Sequence, residues 1–261
     1  MLILWCLHGG CMTDKEKIVE LFDKNVRGRF PDLSAFNVRH DGGAGHWLEN
    51  AMGIAANSSN TPDLFGFEMK NNTTSKTTFG DWSANYYIYQ DIAYRLSDRD
   101  DFLHIFGRPN PDKGMRYSWS GQPCPKVKVF NPYGQILVVD SDRNIHAKYF
   151  YSRDTRQDKS QVIPVDLQKE DLTIAKWNKN SIQGKLERKF NQKGWFKCLQ
   201  DRSGTYTSIV FGDPINYDNW IKLVESGVVF FDSGMYEGNP RPYAQWRANN
   251  SLWNQLITSR Y

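Results

Sequence analysis

The segment that most constrains the fold is residues 61–70, with the sequence TPDLFGFEMK. Successive side chains of a β-strand point to opposite faces of a sheet. Phe65, Phe67 and Met69 therefore share one face of this segment, whereas Glu68 and Lys70 share the other. The pattern predicts a strand that buries its apolar face in a core and carries two charged groups on its second face.

Strict alternation places Asp63 on the face opposite Glu68 and Lys70. A turn or bulge at Gly66, a residue that tolerates unusual backbone angles, would bring Asp63 to the same point. Two carboxylates suit Mg²⁺, which takes its other ligands from water and phosphate oxygens. A lysine beside them can orient a water or stabilise negative charge. These residues fit metal-assisted phosphodiester hydrolysis, but they equally fit an ordinary strand with a solvated Glu68–Lys70 pair.

The block around this segment, residues 39–70, resembles the MvaI/BcnI family of restriction endonucleases, in the MutH-like branch of the PD-(D/E)xK nucleases. That family has a glycine-rich turn, a helix with a glutamate, a short loop, an aspartate and a strand that ends in ExK. The corresponding residues here are Asp41-Gly42-Gly43, Gly45, Glu49, Asp63 after Pro62, and Glu68-Met69-Lys70. The resemblance implies that Asp63 and Glu68 bind Mg²⁺, that Lys70 is the catalytic lysine, and that Glu49 is a further acidic catalytic residue.

Towards the C-terminus, the order of helix, strand, loop and final strand is similar to that of the same family. The histidine-containing loop residues of the family are absent, and Asn239-Pro240-Arg241-Pro242-Tyr243 stand in their place. The resemblance therefore implies a double-stranded DNA target but does not carry over its base sequence.

The order of apolar periods and turn residues indicates a mixed α/β (α+β) architecture. Expected helices include one capped by Thr13 or Asp14, the segment HWLENAMGI ended by Gly53, SIQGKLERKF, and YDNWIKLVESG capped by Asp218 and ended by Gly227. Expected strands include KTTF, KVKVF, QILVVD, AKYFYS, TYTSIVFG and VVFFDSG, whereas residues 85–96 fit either a helix or a long strand.

The resemblance implies a restriction-endonuclease-like PD-(D/E)xK core, a mixed β-sheet flanked by helices. We predict this catalytic lobe over residues 12–110 and a second α/β, DNA-recognition lobe over 111–261, with a cleft between them. Residues 1–11, MLILWCLHGGC, are interpreted as a dispensable extension from a mis-called start codon. Deletion of residues 1–11 is expected to leave fold and activity intact.

Basic residues crowd the second half of the chain. On a helix, SIQGKLERKF would present Lys185, Arg188 and Lys189 along adjacent faces, where they can neutralise DNA phosphates. A solvated helix face would look the same. The full basic set of this region is Lys176, Lys179, Lys185, Arg188, Lys189, Lys193 and Lys197.

The loop GNPRPYAQWR carries side chains that read DNA bases in other proteins. Arg241 and Arg247 can contact guanine, Gln245 can contact adenine, and Tyr243 is counted with them as DNA-binding. A proline-stiffened surface turn is the equal alternative.

The composition and the absence of several sequence motifs narrow the classes of protein to which the chain can belong. The chain has 261 residues and a formal net charge of +4, which by itself decides nothing. No apolar run approaches the roughly 20 residues of a membrane span. The four cysteines lack CxxC spacing, no histidine has a partner at metal-ligand spacing, and there is no GxSxG elbow. His104 is expected in the core, and a reducing cytoplasm is the expected location.

Together with the motif, the resemblance implies a Mg²⁺-dependent type II restriction endonuclease that nicks the two strands of a short specific site in succession as a monomer. A neighbouring gene for a cognate DNA methyltransferase is expected. The alternatives are a nicking repair endonuclease that works with partner proteins and a DNA-binding protein without catalytic activity.

Overall fold

The computed structural model describes residues 12–32, 34, 43–55, 60–71, 73 and 75–261. The extension over 1–11 and the Asp41-Gly42 pair lie outside these described residues. No helix in the described ranges is long and apolar enough to cross a membrane.

The chain divides into two compact units. One comprises the described parts of Met1–Thr74 together with Arg188–Ile215 and Trp253–Tyr261, and the other comprises Ser75–Glu187 and Asn216–Leu252. This division differs from the predicted contiguous lobes 12–110 and 111–261. The reason is that residues 68–70 pair with residues 195–197, so two segments far apart in the sequence belong to the same unit.

The α-helices of the described residues are α1 Asp14–Asn25, α2 Gly43–Ala51, α3 Arg99–Phe106, α4 Lys159–Val162, α5 Lys179–Phe190, α6 Tyr217–Ser226 and α7 Asn250–Gln255. The strands are β1 Glu68–Lys70, β2 Lys76–Asp81, β3 Tyr86–Tyr87, β4 Arg108–Asn110, β5 Arg116–Trp119, β6 Tyr133–Val139, β7 Ile145–Asp154, β8 Leu172–Trp177, β9 Trp195–Gln200, β10 Tyr206–Gly212, β11 Val229–Ser233, β12 Met235–Tyr236, β13 Ala244–Asn249 and β14 Ile257–Arg260. The mixed α+β class predicted from the sequence is confirmed.

The first unit is built on one four-stranded sheet with the order β1-β9-β10-β14. β1 runs parallel to β9, and the pairs β9–β10 and β10–β14 are antiparallel. One face of this sheet is apolar and packs against α1 and α2 in a core that includes Ile18, Phe22, Leu48, Met69 and Phe196. The opposite face carries Glu68 and Lys70.

Helix α1 begins where the sequence predicts. The Thr13 side chain accepts a hydrogen bond from the Glu16 amide, and the Glu16 carboxylate accepts one from the Thr13 amide, which completes a capping box. Ile18 and Phe22, four residues apart, are buried on the core-facing side of the helix.

The second unit contains three sheets with the orders β11-β13-β2, β12-β5-β4 and β3-β8-β7-β6. Indole rings fill its core: the Trp177 and Trp246 ring centroids lie 5.4 Å apart, as do those of Trp220 and Trp246. Helix α6 ends at Gly227 in the left-handed conformation, as predicted.

Several local predictions are wrong. KVKVF does not form a strand beyond an isolated bridge at Val127, and residues 85–96 form neither a helix nor a long strand but a two-residue strand and two 3-10 turns. The N-cap of α6 is Asn216, whose side chain accepts from the Asn219 amide, rather than Asp218. His104 is not core: its side chain is half exposed and lies 3.2 Å from the Glu237 carboxylate.

Candidate active site

A tight turn at residues 64–67 creates the site. Leu64 and Phe67 exchange backbone hydrogen bonds of 3.0 and 2.8 Å. The two residues between them both have positive φ, +49° at Phe65 and +86° at Gly66, which is the pattern of a type I′ hairpin turn. The predicted turn at Gly66 is thus confirmed, and the strand is shorter than predicted because β1 begins only at Glu68. Phe65 lies at the tip of this turn, 43% exposed, so its predicted burial is wrong.

The turn returns Asp63 to the side of β1. Its Oδ2 accepts a hydrogen bond of 2.8 Å from the Met69 amide. This contact fixes the carboxylate beside Glu68, although alternation along a straight strand would place it on the other face. Asp63, Glu68 and Lys70 therefore meet, as the sequence predicts.

Glu68 is the centre of the site and is only 2% exposed. Its Oε1 lies 2.8 Å from the Lys70 ammonium and 3.0 Å from the Lys189 ammonium. Its Oε2 is buried and has no hydrogen-bond partner among the described residues. One oxygen of this carboxylate is thus shared by two lysines, and the other is left without a donor.

Burial and mutual charge shift the ionisation of these groups. Desolvation, together with repulsion from the Glu68 carboxylate, raises the pKa of Asp63 from its ordinary value near 3.8 to about 6. Burial lowers the pKa of Lys70, and the neighbouring Lys189 charge acts in the same direction while Glu68 opposes it. The Lys70 ammonium also lies 4.9 Å from the centre of the Phe190 ring.

The carboxylate pair fits a hard divalent cation. Glu68 Oε2 has no hydrogen-bond donor among the described residues, and burial beside Glu68 disfavours the charged form of Asp63, so both carboxylates have the capacity to bind a cation. No cluster of three or more His, Cys, Asp or Glu side chains suited to a metal occurs in the described ranges. Mg²⁺ does not require such a cluster, because it commonly uses one or two carboxylates plus water and substrate phosphates.

Glu49 lies on α2 with its carboxylate 3.3 Å from His46 Nδ1 and its side chain 30% exposed. The contact that the structure gives this carboxylate is with a largely exposed histidine rather than with Asp63 or Glu68. Its assignment as an acidic catalytic residue stays a prediction.

Helix α5 extends over Lys179–Phe190 as predicted, but its basic residues are not equivalent. Lys189, predicted as a DNA-phosphate contact, forms an ion pair with the Glu68 carboxylate. Arg188 is exposed and Lys185 is half-buried. Sequence reasoning missed the role of Lys189 at the carboxylate pair, because Lys189 and Glu68 are more than a hundred residues apart and no local motif links them.

The loop predicted to read bases is organised by Asn239, which is 3% exposed. The Asn239 amide donates to the carbonyl oxygens of Gly234 and Arg241, at 3.2 and 3.3 Å. This leaves Arg241 largely exposed, 3.8 Å from Asp81, and Tyr243 more than half exposed. Both side chains are available to a ligand.

Two other predicted DNA contacts lie on β13 rather than in the loop. Gln245 is half-buried. The Arg247 guanidinium donates a 2.8 Å hydrogen bond to Asp232, which also accepts from Lys76. Arg247 is thus tied to a carboxylate in this structure, whereas Arg241 projects from the surface.

Comparisons with known proteins find matches among restriction endonucleases. The model of the LlaMI restriction endonuclease family matches residues 26–261. The type II restriction enzyme ScrFI of Lactococcus lactis subsp. cremoris is 48% identical over 264 residues, which covers 94% of this chain and 97% of ScrFI. The solved complex of restriction endonuclease MvaI with its cognate DNA substrate has a TM-score of 0.61 at 13% identity and covers 96% of this chain and 98% of MvaI. This last likeness supports the restriction-endonuclease-like fold.

Proposed function

The chain belongs to the LlaMI restriction endonuclease family, and we propose that it is a Mg²⁺-dependent type II restriction endonuclease that hydrolyses double-stranded DNA at a short specific sequence. The observation that carries the chemistry is the Asp63–Glu68 carboxylate pair. One oxygen of Glu68 is buried without a hydrogen-bond partner among the described residues, and its other oxygen contacts two lysines. The near full-length similarity to the restriction enzyme ScrFI supports the reaction class.

Asp63 and the Glu68 Oε2 atom would hold the metal ion. When bound, Mg²⁺ would polarise the scissile phosphate and favour deprotonation of a nearby water. The Met69 amide holds the Asp63 carboxylate in place through its 2.8 Å hydrogen bond, so the pair is preorganised by the backbone of β1.

Lys70 supplies positive charge at the position where a phosphate would meet the carboxylate pair. Its pKa is lowered by burial, so its proton is available for transfer or for stabilising a developing oxyanion. Lys189 contacts the same Glu68 oxygen and limits the ways in which this carboxylate can turn. Both lysines therefore hold one oxygen of Glu68 and leave its second oxygen, Oε2, without a donor among the described residues.

The DNA contacts are assigned to the exposed loop and the basic helix. Arg241 and Tyr243 project from a loop that Asn239 holds in shape, as base-reading side chains require. Lys185 and Arg188 on α5 fit phosphate contacts, which would supply salt-dependent affinity. We further propose that one chain acts as a monomer with one active site and nicks the strands in succession, and that its gene neighbours a cognate DNA methyltransferase gene.

The test is incubation of the purified protein with unmethylated phage DNA in Mg²⁺ and, separately, in EDTA, followed by gel analysis and sequencing of the fragment ends. Discrete Mg²⁺-dependent fragments that share one sequence at their ends are expected. Nicked circles without linear product would instead indicate the repair-type nicking activity, and absence of cleavage with a mobility shift would indicate a DNA-binding protein.

A matched variant tests the assignment of the site. Lys70→Met keeps the length of the side chain but removes the ammonium beside Glu68. Loss of one preorganised charged group lowers turnover by about 10²–10³ in comparable sites. Cleavage at the wild-type rate in this variant would contradict the assignment of the site but not the family membership.

A further inference from the structure

Lys197 lies on the active-site face of the sheet, one strand from Lys70. In the parallel pair of β1 and β9, Lys70 is the register partner of Lys197 and Glu68 is the partner of Trp195. Register partners in neighbouring strands point to the same face and lie about 4.8 Å apart. Met69 follows Glu68 on β1 and Phe196 follows Trp195 on β9. These two residues are register partners whose side chains lie on the opposite, core-facing side of the sheet. Lys197 therefore projects to the same side as Glu68 and Lys70.

The Lys197 side chain is buried without a counter-charge. The residue is 2% exposed. Burial alone accounts for the lowering of its pKa, and among the described residues no carboxylate opposes this effect. Lys70 and Lys189, by contrast, share the Glu68 carboxylate.

An unpaired buried ammonium is unfavourable, because its lost hydration is not replaced. Elsewhere the chain compensates such groups. The Arg156 guanidinium, for example, pairs with the fully buried Asp154 carboxylate at 2.6 Å. Lys197 lacks such a partner among the described residues and lies on the sheet face where the proposed function places an anionic substrate. An anion of the substrate would supply the missing counter-charge.

We propose that Lys197 is a phosphate-contacting residue of the active site, and that the phosphodiester backbone of the bound DNA supplies its counter-charge. The inference rests on the proposed nuclease function and adds a third lysine to the reaction site. Burial does not argue against it, because Glu68 and Lys70 are 2% and 7% exposed. Any movement that presents those two residues to a duplex also presents a lysine one strand away.

The proposal separates stability from function in Lys197→Met. Methionine has a similar unbranched length and no charge, so the melting temperature in EDTA should stay the same or rise. The single-turnover cleavage rate in Mg²⁺, measured well below the melting temperature, should fall about a hundredfold. Lys24→Met, which removes an exposed lysine of α1, is the charge-matched control and should cleave at the wild-type rate.

A second readout does not depend on cleavage. In Ca²⁺, the slope of log affinity for the duplex against log salt concentration should decrease by about 0.9 in Lys197→Met, as expected for one lost phosphate contact. An unchanged slope together with an unchanged rate would overturn the proposal, as would a lower melting temperature with a normal rate. If the methionine variant does not fold, Lys197→Gln is measured in the same way and decides by the same criteria.

The design distinguishes this inference from the proposed function. If the wild-type protein cleaves no DNA, the nuclease proposal fails, whereas the salt slope in Ca²⁺ still reports whether Lys197 contacts phosphate. If the wild type cleaves and Lys197→Met equals it in rate and slope, only the inference about Lys197 fails.

Discussion

Replacement of Asp63 by asparagine should stabilise the metal-free protein while abolishing cleavage. Asparagine has nearly the same shape, and its Oδ1 can still accept the hydrogen bond from the Met69 amide that Asp63 accepts at 2.8 Å. What the substitution removes is the charge that burial and Glu68 disfavour. The free energy of unfolding in EDTA should therefore increase at neutral pH, because the cost of burying the Asp63 charge beside Glu68 is gone.

The magnitude follows from the pKa of Asp63, which lies near 3.8 ordinarily and at about 6 in the folded protein. Each pKa unit corresponds to about 1.4 kcal/mol, so the shift amounts to about 3 kcal/mol. A carboxyl whose pKa is raised on folding binds its proton more tightly when folded. Its cost is therefore absent below the unfolded-state pKa, grows as the pH rises from near 4 to about 6, and is fully present above that window.

The assay is thermal unfolding in EDTA at pH 4.5 and pH 7.5. At pH 7.5, Asp63→Asn should melt on the order of 5–10 °C above the wild type, as expected for about 3 kcal/mol in a chain of this size. At pH 4.5 most of the difference should vanish. Asp142→Asn, which removes an exposed carboxylate, is the control and should change little at either pH. A lower melting temperature for Asp63→Asn at pH 7.5, or an equal gain at both pH values, would refute the reasoning.

Three further outcomes are expected. Gly66→Ala should lower the free energy of unfolding by about 1–2 kcal/mol, because Gly66 has φ +86° and the added Cβ would lie 3.2 Å from the Lys193 side chain. The control Gly184→Ala lies in helix α5 with no atom near the added Cβ, and it should stabilise the protein instead. Lys189→Met should lower the single-turnover cleavage rate with little change in duplex affinity in Ca²⁺, whereas Lys185→Met should weaken duplex affinity and leave the cleavage rate unchanged. The reverse pattern would contradict a catalytic role for the contact between Lys189 and Glu68. Asn239→Ala should weaken binding of the specific duplex about tenfold relative to a random duplex, since it removes the hydrogen bonds to Gly234 and Arg241, and equal weakening on both duplexes would exclude a role of this loop in specificity.

The local part of the site was predictable, because its signals lie within ten residues. Gly66 marks the turn, the alternation of Phe67 and Met69 marks the buried face, and the spacing of Glu68 and Lys70 places both charges on the other face. Even there, Phe65 was expected to be buried by alternation but lies exposed, because the two-residue turn takes it out of the strand.

The non-local part was not predictable from spacing. β1 pairs with β9, and no pattern in the EMK or WFKCLQ segments specifies that partner or its register. Without the register, Lys197 could not be distinguished from the other lysines of its segment, and Lys189 could not be placed at Glu68. KVKVF fails for a related reason, since its alternation is strand-like but it forms only the isolated bridge between Val127 and Leu137.

The charges on this sheet face explain why binding of the metal ion and binding of DNA should be coupled. Two carboxylates face three lysines, so the formal charge of the metal-free site is already positive at neutral pH, and a divalent cation makes it more so until phosphate arrives. Neutralising Asp63 therefore should tighten duplex binding in EDTA, because one repulsion between a carboxylate and a phosphate is lost. Titration of a labelled duplex against Asp63→Asn and the wild type in EDTA measures this difference. Equal or weaker binding by the variant would mean that no carboxylate–phosphate repulsion was relieved, and the placement of the reaction beside Glu68 and Lys70 would then fail.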